Sequence, residues 1–336
     1  MTPVALDDRV AAFVSRRFGG DARLARLAGD ASDRVFYRVH PASLSPLILM
    51  VHPEPFELEA LPFFQHARFL HDIGAAVPQV VASYPHEGIL VVQDLGDQRL
   101  QEHLAGCDAG RRRFLYMQAV QMIAFLQDDG TRALHADLPA SRTALDVDRL
   151  TFEMRFFLEH YAGTFIGSLG GAPLTAEEAA SLEGWLLSLA REVASYRRVL
   201  CHRDFHSRNL MVKGERLYML DFQDARMGAY TYDLASLLRD SYVELPEHLV
   251  VELIEFFREV SHLPEGESSF TTAFTQTSLQ RNIKALGTFA SQAVLRGNTS
   301  YLEHIPRTLA HIRANLERES NAAMLRLFEG PLDYRP

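Results

Sequence analysis

The chain has 336 residues, of which 47% are hydrophobic, and it carries a formal net charge of −9. Such a length is sufficient for two lobes with a core each, and the acidic balance excludes a basic surface for nucleic acid or an anionic membrane. Two cysteines are too few for a disulfide framework, and no apolar run approaches the length of a membrane span. We therefore expect a soluble cytoplasmic protein that binds neither nucleic acid nor a membrane.

The first part of the chain has the pattern of a small lobe built on a sheet. Apolar residues at helical spacing predict a helix over Leu6–Phe18, and β-forming residues predict strands at 35–39 and 47–51. Before the first of these strands, and after an earlier segment of strand character, comes a small-residue turn that contains Gly29, Ala31 and Ser32. Taken alone, this turn would be an ordinary hairpin. In a nucleotide-binding protein, however, its backbone N–H groups could cover a triphosphate.

A second helix and a second hairpin complete this lobe. The helix is predicted over residues 57–73, and the hairpin pairs strand 80–82 with strand 89–92. The second strand of this hairpin continues into a polar connector that begins with Gln93 and includes Leu95. We expect a five-stranded antiparallel sheet with one packed helix in residues 1–95, and a second lobe in residues 96–336.

The second lobe is predicted to be helical almost throughout. Helical periodicity covers residues 111–127, 149–161, 175–196, 232–243, 248–260, 271–295 and 301–328. Trp185 lies in an apolar stripe of one of these helices and is expected in the core. The exception to the helical pattern is a hairpin in which strands 210–212 and 217–220 flank the turn 213–216.

The residues with chemistry lie immediately around this hairpin. Asp204 is followed five positions later by Asn209, and Asp221 leaves the second strand of the hairpin. The pattern H-x-D-x-x-x-x-N followed by D-F-x is the protein-kinase signature, with Gln223 where protein kinases have glycine. In phosphoryl transfer, one aspartate accepts the proton of the attacking hydroxyl, while the asparagine and the other aspartate hold magnesium. A charged surface hairpin with solvated side chains would explain one such residue, but not the whole spaced pattern.

This motif and its flanks resemble a known family. Residues 202–209, 220–225 and 232–235 resemble the aminoglycoside and choline kinase superfamily. Shorter matches within 29–39, 279–290 and 301–307 are similar to the anomeric N-acetylmuramate and N-acetylglucosamine kinases. The resemblance implies a bilobal α+β fold of the protein-kinase type. It also implies ATP-dependent phosphorylation of the anomeric hydroxyl of an amino sugar to the sugar 1-phosphate, a step of peptidoglycan recycling in the cell wall.

The resemblance implies a role for each matching residue. Asp204 would be the catalytic base, and Asn209 and Asp221 would be the ligands of magnesium. The backbone of Gln93 and Leu95 would contact adenine. ATP and magnesium are thus the expected cofactors, a small sugar is the expected substrate, and we expect a monomer.

Other polar residues near the motif are expected to be structural. His202 is expected to be a buried residue that positions the loop, not an acid–base group. Asp233 stands at the start of an apolar helix and is expected to cap that helix or anchor a loop. His206 lies inside the loop and could approach a substrate, and the sequence leaves its role open.

One strand departs from the kinase pattern. Residues 47–51 form the strand in which a kinase carries the lysine that pairs with the α- and β-phosphates, but the aligned residue is Met50. One explanation is a pseudokinase that binds a nucleotide or partner without chemistry. The other is an arginine that supplies the charge, with Arg38 as the first candidate and Arg34 as the second, because alternation puts both on one side of their strand. The three retained residues of the motif favour a working enzyme.

The charge of the residues around the predicted substrate cleft indicates which kind of acceptor the protein can bind. A kinase of an aminoglycoside or a choline-like amine is the alternative to a sugar kinase, and a cationic amine would require an acidic cleft. Arg281 and Lys284 lie on one face of a predicted helix and favour an uncharged or anionic sugar. The alternative for these two cations is a solvated helix surface.

Overall fold

The computed structural model describes residues 6–27, 34–170, 173–262 and 266–335. The chain divides into two compact units, one of Met1–Gln98 with Met211–Gln223 and one of Arg99–Leu210 with Asp224–Pro336. The hairpin that follows the Asp204 motif thus groups with the first unit, although it lies in the second half of the sequence. The division into lobes at 1–95 and 96–336 stays a prediction.

The first unit contains the predicted five-stranded antiparallel sheet. Its strands are β1 (Arg23–Arg26), β2 (Val35–His40), β3 (Leu47–Val51), β4 (Val80–Tyr84) and β5 (Ile89–Gln93), in the spatial order β1-β2-β3-β5-β4. Every pair of neighbouring strands is antiparallel. The expected sheet is therefore confirmed, and β1 is the segment of strand character that precedes the small-residue turn.

Helix α1 (Leu6–Phe18), which has the predicted bounds, covers one face of this sheet. One cluster of buried residues joins the helix to the sheet: Val10, Phe13, Val14, Tyr37, Val39, Leu49, Val51, Ile89 and Val91. Each fully buried side chain of this kind contributes roughly 1.5–3 kcal/mol, so the cluster is the core of the unit. Because side chains alternate along a strand, β2 presents Tyr37 to α1 and Arg38 to the opposite face.

The helix predicted over residues 57–73 begins later than expected. A short 3₁₀ turn, Leu58–Ala60, precedes α2 (Pro62–Asp72). Pro62 occupies the first helical turn, where a missing N–H is tolerated, and the residue before it, Leu61, is extended. The predicted start was wrong because the proline that begins the helix lies inside the predicted segment.

Two further pairs of strands flank the Asp204 motif. They are formed by β6 (Arg198–Cys201), β7 (Leu210–Lys213), β8 (Arg216–Met219) and β9 (Arg226–Ala229). Strands β6 and β9 pair antiparallel in the second unit, and β7 and β8 form the predicted hairpin. Backbone N–H groups of Val212 and Met219 donate to the carbonyls of Gln98 and Ala76, both at 2.8 Å. These bonds attach the hairpin to the first unit.

The second unit is mostly helical, as predicted. Its helices are α3 (Leu100–Leu104), α4 (Ala109–Phe125), α5 (Thr131–Ala133), α6 (Pro139–Arg142), α7 (Val147–Phe157), α8 (Ile166–Ser168), α9 (Ala176–Ser195), α10 (Tyr232–Leu238), α11 (Glu247–Val260), α12 (Glu267–Arg296), α13 (Ile305–Arg318) and α14 (Ala322–Glu329). Two π-helical segments, Leu126–Gly130 and Leu158–Phe165, continue α4 and α7. Among the described residues, no helix has the length and apolar character required to cross a membrane.

Helix α12 is the central element of this unit, because it packs against α7, α10 and α13. At the crossing with α7 the two backbones approach closely. A Cβ atom added at Gly287 would lie 2.9 Å from Cα of Phe157, closer than real Cβ contacts occur. Glycine is therefore required at this position for α12 to lie where it does.

Three details of the second unit differ from the predictions. The helix predicted over 232–243 ends at Leu238. The helix predicted over 301–328 is divided into a 3₁₀ segment, Thr299–His304, followed by α13 and α14, with left-handed Ser320 at the break (φ 55°). Trp185 is half-buried, so its predicted place in the core was wrong.

Candidate active site

Asp204 lies among cations of the second unit, in the loop between β6 and the short helical turn Ser207–Asn209. Nζ of Lys284 is 3.1 Å from Oδ1 of Asp204, and Nη1 of Arg281 is 3.8 Å from the same oxygen. Nε of Arg203 is 3.9 Å from the other carboxylate oxygen. Because 28% of its side chain is exposed, Asp204 is paired and yet accessible to a substrate.

These cations set the protonation state of the carboxyl group. Burial alone raises the pKa of Asp204, but the charges of Lys284, Arg203 and Arg281 outweigh burial and hold the pKa well below its usual range. Burial likewise lowers the pKa of Lys284, and the carboxylate of Asp204 more than compensates, so that the pKa is raised. At neutral pH, Asp204 is therefore a carboxylate and Lys284 an ammonium group.

A buried carboxylate holds the start of the catalytic loop. Asp233, which has no exposed surface, accepts hydrogen bonds from the backbone N–H groups of His202 at 2.6 Å and Arg203 at 3.0 Å. Arg203 is left-handed (φ 83°), a conformation that costs a non-glycine residue roughly 1–3 kcal/mol. Its carbonyl accepts a hydrogen bond of 2.7 Å from Nη1 of Arg281. Asp233 is thus the loop anchor that the sequence predicted.

A second buried carboxylate holds the end of the loop. Asp240 accepts hydrogen bonds from the backbone N–H groups of Ser207 at 3.0 Å and Tyr242 at 2.8 Å. The guanidinium of Arg208 lies 3.9 Å from the ring centroid of Tyr242 and 2.9 Å from Nε2 of His304. Asp233 and Asp240 therefore fix the two ends of the loop between which Asp204 lies.

The two histidines of the loop each lie against an aromatic ring. His202 is 2% exposed and its ring lies edge-on to Phe205, in agreement with the predicted structural role. His206 lies against Tyr242, with 5.1 Å between the ring centroids. Burial lowers the pKa of His206 to about 3, with Arg281 and His202 adding to the effect and Asp204 opposing it. His206 is therefore neutral near pH 7.

Asn209 is oriented by the loop that carries Asp204. Its side-chain Nδ2 donates a hydrogen bond of 2.9 Å to the backbone carbonyl of Asp204. The amide oxygen is the atom that this orientation leaves to coordinate a cation. Oxygen is the donor that magnesium prefers, so Asn209 fits the role the sequence implies.

Asp221 is positioned separately, in the first unit. It is exposed, and it is left-handed (φ 61°), which is uncommon for a non-glycine residue and often marks a functional site. Nε2 of Gln223, the residue that replaces the glycine of protein kinases, donates to Oδ1 of Asp221 at 2.6 Å. Across the described parts of the chain, no group of three or more His, Cys, Asp or Glu side chains could hold a metal ion. Magnesium does not require one, since it keeps several waters and binds substrate phosphates.

The residues predicted to bind ATP are less completely described. Gly29, Ala31 and Ser32 lie outside the described residues. Arg38 pairs with Asp94 at 2.6 Å and with Asp97 at 2.7 Å, so that it holds the connector after β5.

The predicted adenine contacts lie on the connector that Arg38 holds. The backbone N–H of Gln93 donates to the carbonyl of Gln79 at 2.8 Å, and Leu95 is buried. The carbonyl of Asp94 accepts a bond of 2.7 Å from Nζ of Lys213. These contacts fix the connector, and its role toward adenine stays a prediction.

Sequence reasoning underrated the two cations of α12 and did not weigh Asp240. Arg281 and Lys284 could be a solvated surface by their spacing, but the structure brings both to Asp204. A signal was present in the sequence, because polar residues interrupt the apolar pattern on both sides of Arg281. Gln280 and Asn282 are buried, with 0% and 4% exposed surface. A polar segment inside an apolar helix of this length indicates a buried polar partner.

A five-stranded antiparallel sheet followed by a helical region, with the kinase motif in a loop held by buried carboxylates, defines a protein-kinase-like phosphotransferase fold. The chain belongs to the phosphotransferase enzyme family, whose model matches residues 23–267. Members of this class are kinases, and ATP is their co-substrate. The predicted fold class is confirmed.

Known proteins similar to this chain agree with that assignment. It is 30% identical over 310 residues to an N-acetylmuramate/N-acetylglucosamine kinase of Pseudomonas aeruginosa, covering 90% of this chain and 87% of the relative. A kinase of the same name from Neisseria meningitidis is 28% identical over 311 residues, covering 91% and 89%. Among solved structures, a choline kinase from Streptococcus pneumoniae superposes with a TM-score of 0.61 at 14% identity, covering 93% of this chain and all of the other. The structural likeness shows the fold alone.

Proposed function

We propose that this protein transfers the γ-phosphoryl group of ATP to the anomeric hydroxyl of an N-acetylated amino sugar. The products are ADP and the sugar 1-phosphate, and the substrates are N-acetylglucosamine, N-acetylmuramate or both. The two relatives named N-acetylmuramate/N-acetylglucosamine kinase support the choice of the sugar. We assign the reaction to the reuse of cell-wall sugars in the cytoplasm, where ATP is available.

The observation that carries this proposal is the charge around Asp204. Lys284 and Arg281 both approach the carboxylate of Asp204 from α12. Two like charges about 4 Å apart repel by roughly 4 kcal/mol at an effective dielectric constant of 20. A cationic acceptor, such as an aminoglycoside or a choline-like amine, would meet this repulsion. A neutral sugar would not, and an anionic sugar would be attracted.

Asp204 is the proposed base. Its carboxylate accepts a hydrogen bond from the acceptor hydroxyl and orients that oxygen for attack on the γ-phosphorus. Because its pKa is low, Asp204 is a weak base, and the proton moves to it late, as the new O–P bond forms and the hydroxyl becomes acidic. The bond between the γ-phosphorus and the bridging oxygen breaks, and ADP leaves with the electron pair.

Magnesium fits the proposed chemistry. We propose Asn209 and Asp221 as its protein ligands, each through a side-chain oxygen. When bound, the ion neutralises charge on the transferred phosphoryl group. The first unit, with residues 29–32 and the connector at Gln93 and Leu95, is proposed to bind ATP, and the second unit is proposed to bind the sugar.

A panel of acceptors tests the proposal. With ATP and magnesium, ADP release should be at least about tenfold faster with N-acetylglucosamine or N-acetylmuramate than with kanamycin or choline, in line with the repulsion estimated above. The Asp204→Asn variant serves as the control for contaminating ATPase. Faster turnover with either amine would contradict the proposed acceptor. Nucleotide binding without transfer to any of the four would favour a pseudokinase.

A further inference from the structure

The absence of a lysine at position 50 leaves the phosphates of the nucleotide without their usual cation. Met50 is 3% exposed and contributes no charge. Along the face of the sheet opposite α1, Phe36, Met50 and Leu90 lie side by side in register. A cation that replaces the lysine has to reach this face near Met50.

Arg34 is a cation that does so. It lies two residues before Phe36, and alternation along an extended segment directs it to the same face as Phe36 and Met50. Nη1 of Arg34 is 3.8 Å from Sδ of Met50. The guanidinium therefore lies against the side chain that occupies the position of the lysine.

Arg38, the first candidate from the sequence, lies at the other end of β2. Four residues of an extended strand span roughly 13 Å, so Arg38 is a long way from Arg34 along the strand. It is held at that end by Asp94 and Asp97, which follow β5 on the connector. Two carboxylates already balance the charge of Arg38, and these ion pairs hold the connector in place.

The position of Arg34 in the sequence agrees with a role at phosphate. It directly follows the small-residue turn that we expect to cover the triphosphate. His52, which directly follows β3, is half-buried, and burial together with the nearby charge of Arg34 lowers the pKa of that histidine. His52 is thus neutral near pH 7, and of these two neighbours Arg34 alone carries a positive charge.

We propose that Arg34 contacts the phosphates of the bound nucleotide and takes the place of the kinase lysine that is absent at Met50. This inference rests on the proposed function, since it presupposes that the protein binds ATP. A guanidinium suits the role because it stays charged when partly buried and can grip a phosphate through two parallel hydrogen bonds. Lysine at this position would keep the charge and lose the paired geometry.

Binding of ADP and of adenosine, measured separately by titration calorimetry, tests this inference. Arg34→Met should weaken ADP binding by about tenfold or more, the value of a hydrogen-bonded charge, while adenosine binding changes by less than about twofold. Arg34→Lys should give an intermediate loss for ADP. Arg16→Met is the matched control, because Arg16 belongs to the same unit and pairs with Glu87 on the surface. It should leave the binding of both ligands unchanged.

The outcomes separate this inference from the proposed function. Unchanged ADP affinity in Arg34→Met, or an equal loss for ADP and adenosine, would overturn the role of Arg34 and leave the kinase proposal standing. A wild-type protein that binds no adenine nucleotide would overturn both. If Arg34→Met does not fold, as thermal unfolding would show, the comparison of ADP with adenosine in Arg34→Lys decides the question.

Discussion

Two charged groups, Asp204 in the second unit and Arg38 in the first, are surrounded by opposite charges in different ways. Asp204 is approached by Lys284 and Arg281 from α12, about 80 positions away in the sequence, and its loop is fixed by buried carboxylates. Arg38 is matched by Asp94 and Asp97 of the connector, 56 and 59 positions away in the sequence, and Asp97 is 76% exposed. Water can replace the exposed Asp97 at Arg38, but it cannot replace the buried carboxylates that anchor the Asp204 loop. The comparison teaches that the loop of Asp204 in the second unit is held rigidly by buried groups. Arg38 in the first unit depends in part on an exposed partner.

The largest effect should come from Asp204 itself. Asp204→Asn removes the proton acceptor and should lower kcat by about 10²- to 10⁴-fold, while ADP affinity stays within a few-fold of wild type. Steady-state kinetics and calorimetry on the same preparation measure the two quantities. Wild-type turnover in this variant would show that the base lies elsewhere and would remove the contrast between the two units.

The buried anchor Asp233 should contribute far more to the free energy of unfolding than Asp97, the exposed partner of Arg38. Asp233→Asn replaces an acceptor of two backbone N–H groups by an amide that cannot satisfy both, and we expect the free energy of unfolding to fall by about 3 kcal/mol. The matched change in the first unit, Asp97→Asn, should cost less than about 1 kcal/mol, as for other exposed ion pairs. Urea unfolding of both variants makes the comparison. Equal losses of unfolding free energy in the two variants would contradict the distinction between the buried anchor and the exposed ion pair.

Lys284 should act through Asp204. Lys284→Met should lower kcat/KM by about 10- to 100-fold, because the charge that orients and balances the carboxylate is lost, and Lys284→Arg should retain most of the activity. In an Asp204→Asn background, the same Lys284→Met change should have an effect of less than about threefold. Independent, multiplicative effects in this double-mutant cycle would show that Lys284 does not work through the carboxylate.

The smallest effect concerns the packing that brings α12 to the loop. Gly287→Ala places a Cβ against the backbone of Phe157, so that α12 and α7 must separate, at a cost of about 1–3 kcal/mol in unfolding free energy. The control is Gly184→Ala in α9, where nothing lies within 4 Å of the added atom. There the better helix propensity of alanine should stabilise the protein by roughly 0.5–1 kcal/mol. A destabilised control, or an unaffected Gly287→Ala, would contradict the close approach of α12 and α7.

Local patterns predicted the local structure well. The helix at Leu6–Phe18 follows from apolar periodicity, four of the five strands follow from short runs of β-forming residues, and the loop at Asp204 follows from the spacing of its motif. Strand alternation also placed Arg34 and Arg38 correctly on one face. Alternation could not decide which of the two arginines is available for phosphate. The partners of Arg38 come from the connector after β5, and alternation along β2 does not predict where that connector lies.

The errors come from interactions between distant residues and from single backbone positions. The helix predicted over 232–243 ends at Leu238, and Asp240 just beyond it accepts a hydrogen bond from the N–H of Ser207, more than thirty residues earlier. The helix predicted over 301–328 breaks at left-handed Ser320. The side chain of Asn321 then caps α14 by accepting a hydrogen bond from the backbone N–H of Met324. Apolar periodicity continues through such a break and therefore hides it.

The central claim is phosphoryl transfer to an anomeric hydroxyl, and the ³¹P NMR spectrum of the product tests it most directly. With ATP, magnesium and N-acetylglucosamine, we expect one new phosphate ester at the anomeric carbon. The methyl glycoside of the same sugar, which has no free anomeric hydroxyl, should remain unphosphorylated. A phosphate at any other position of the sugar, or phosphorylation of the methyl glycoside, would contradict the proposed reaction.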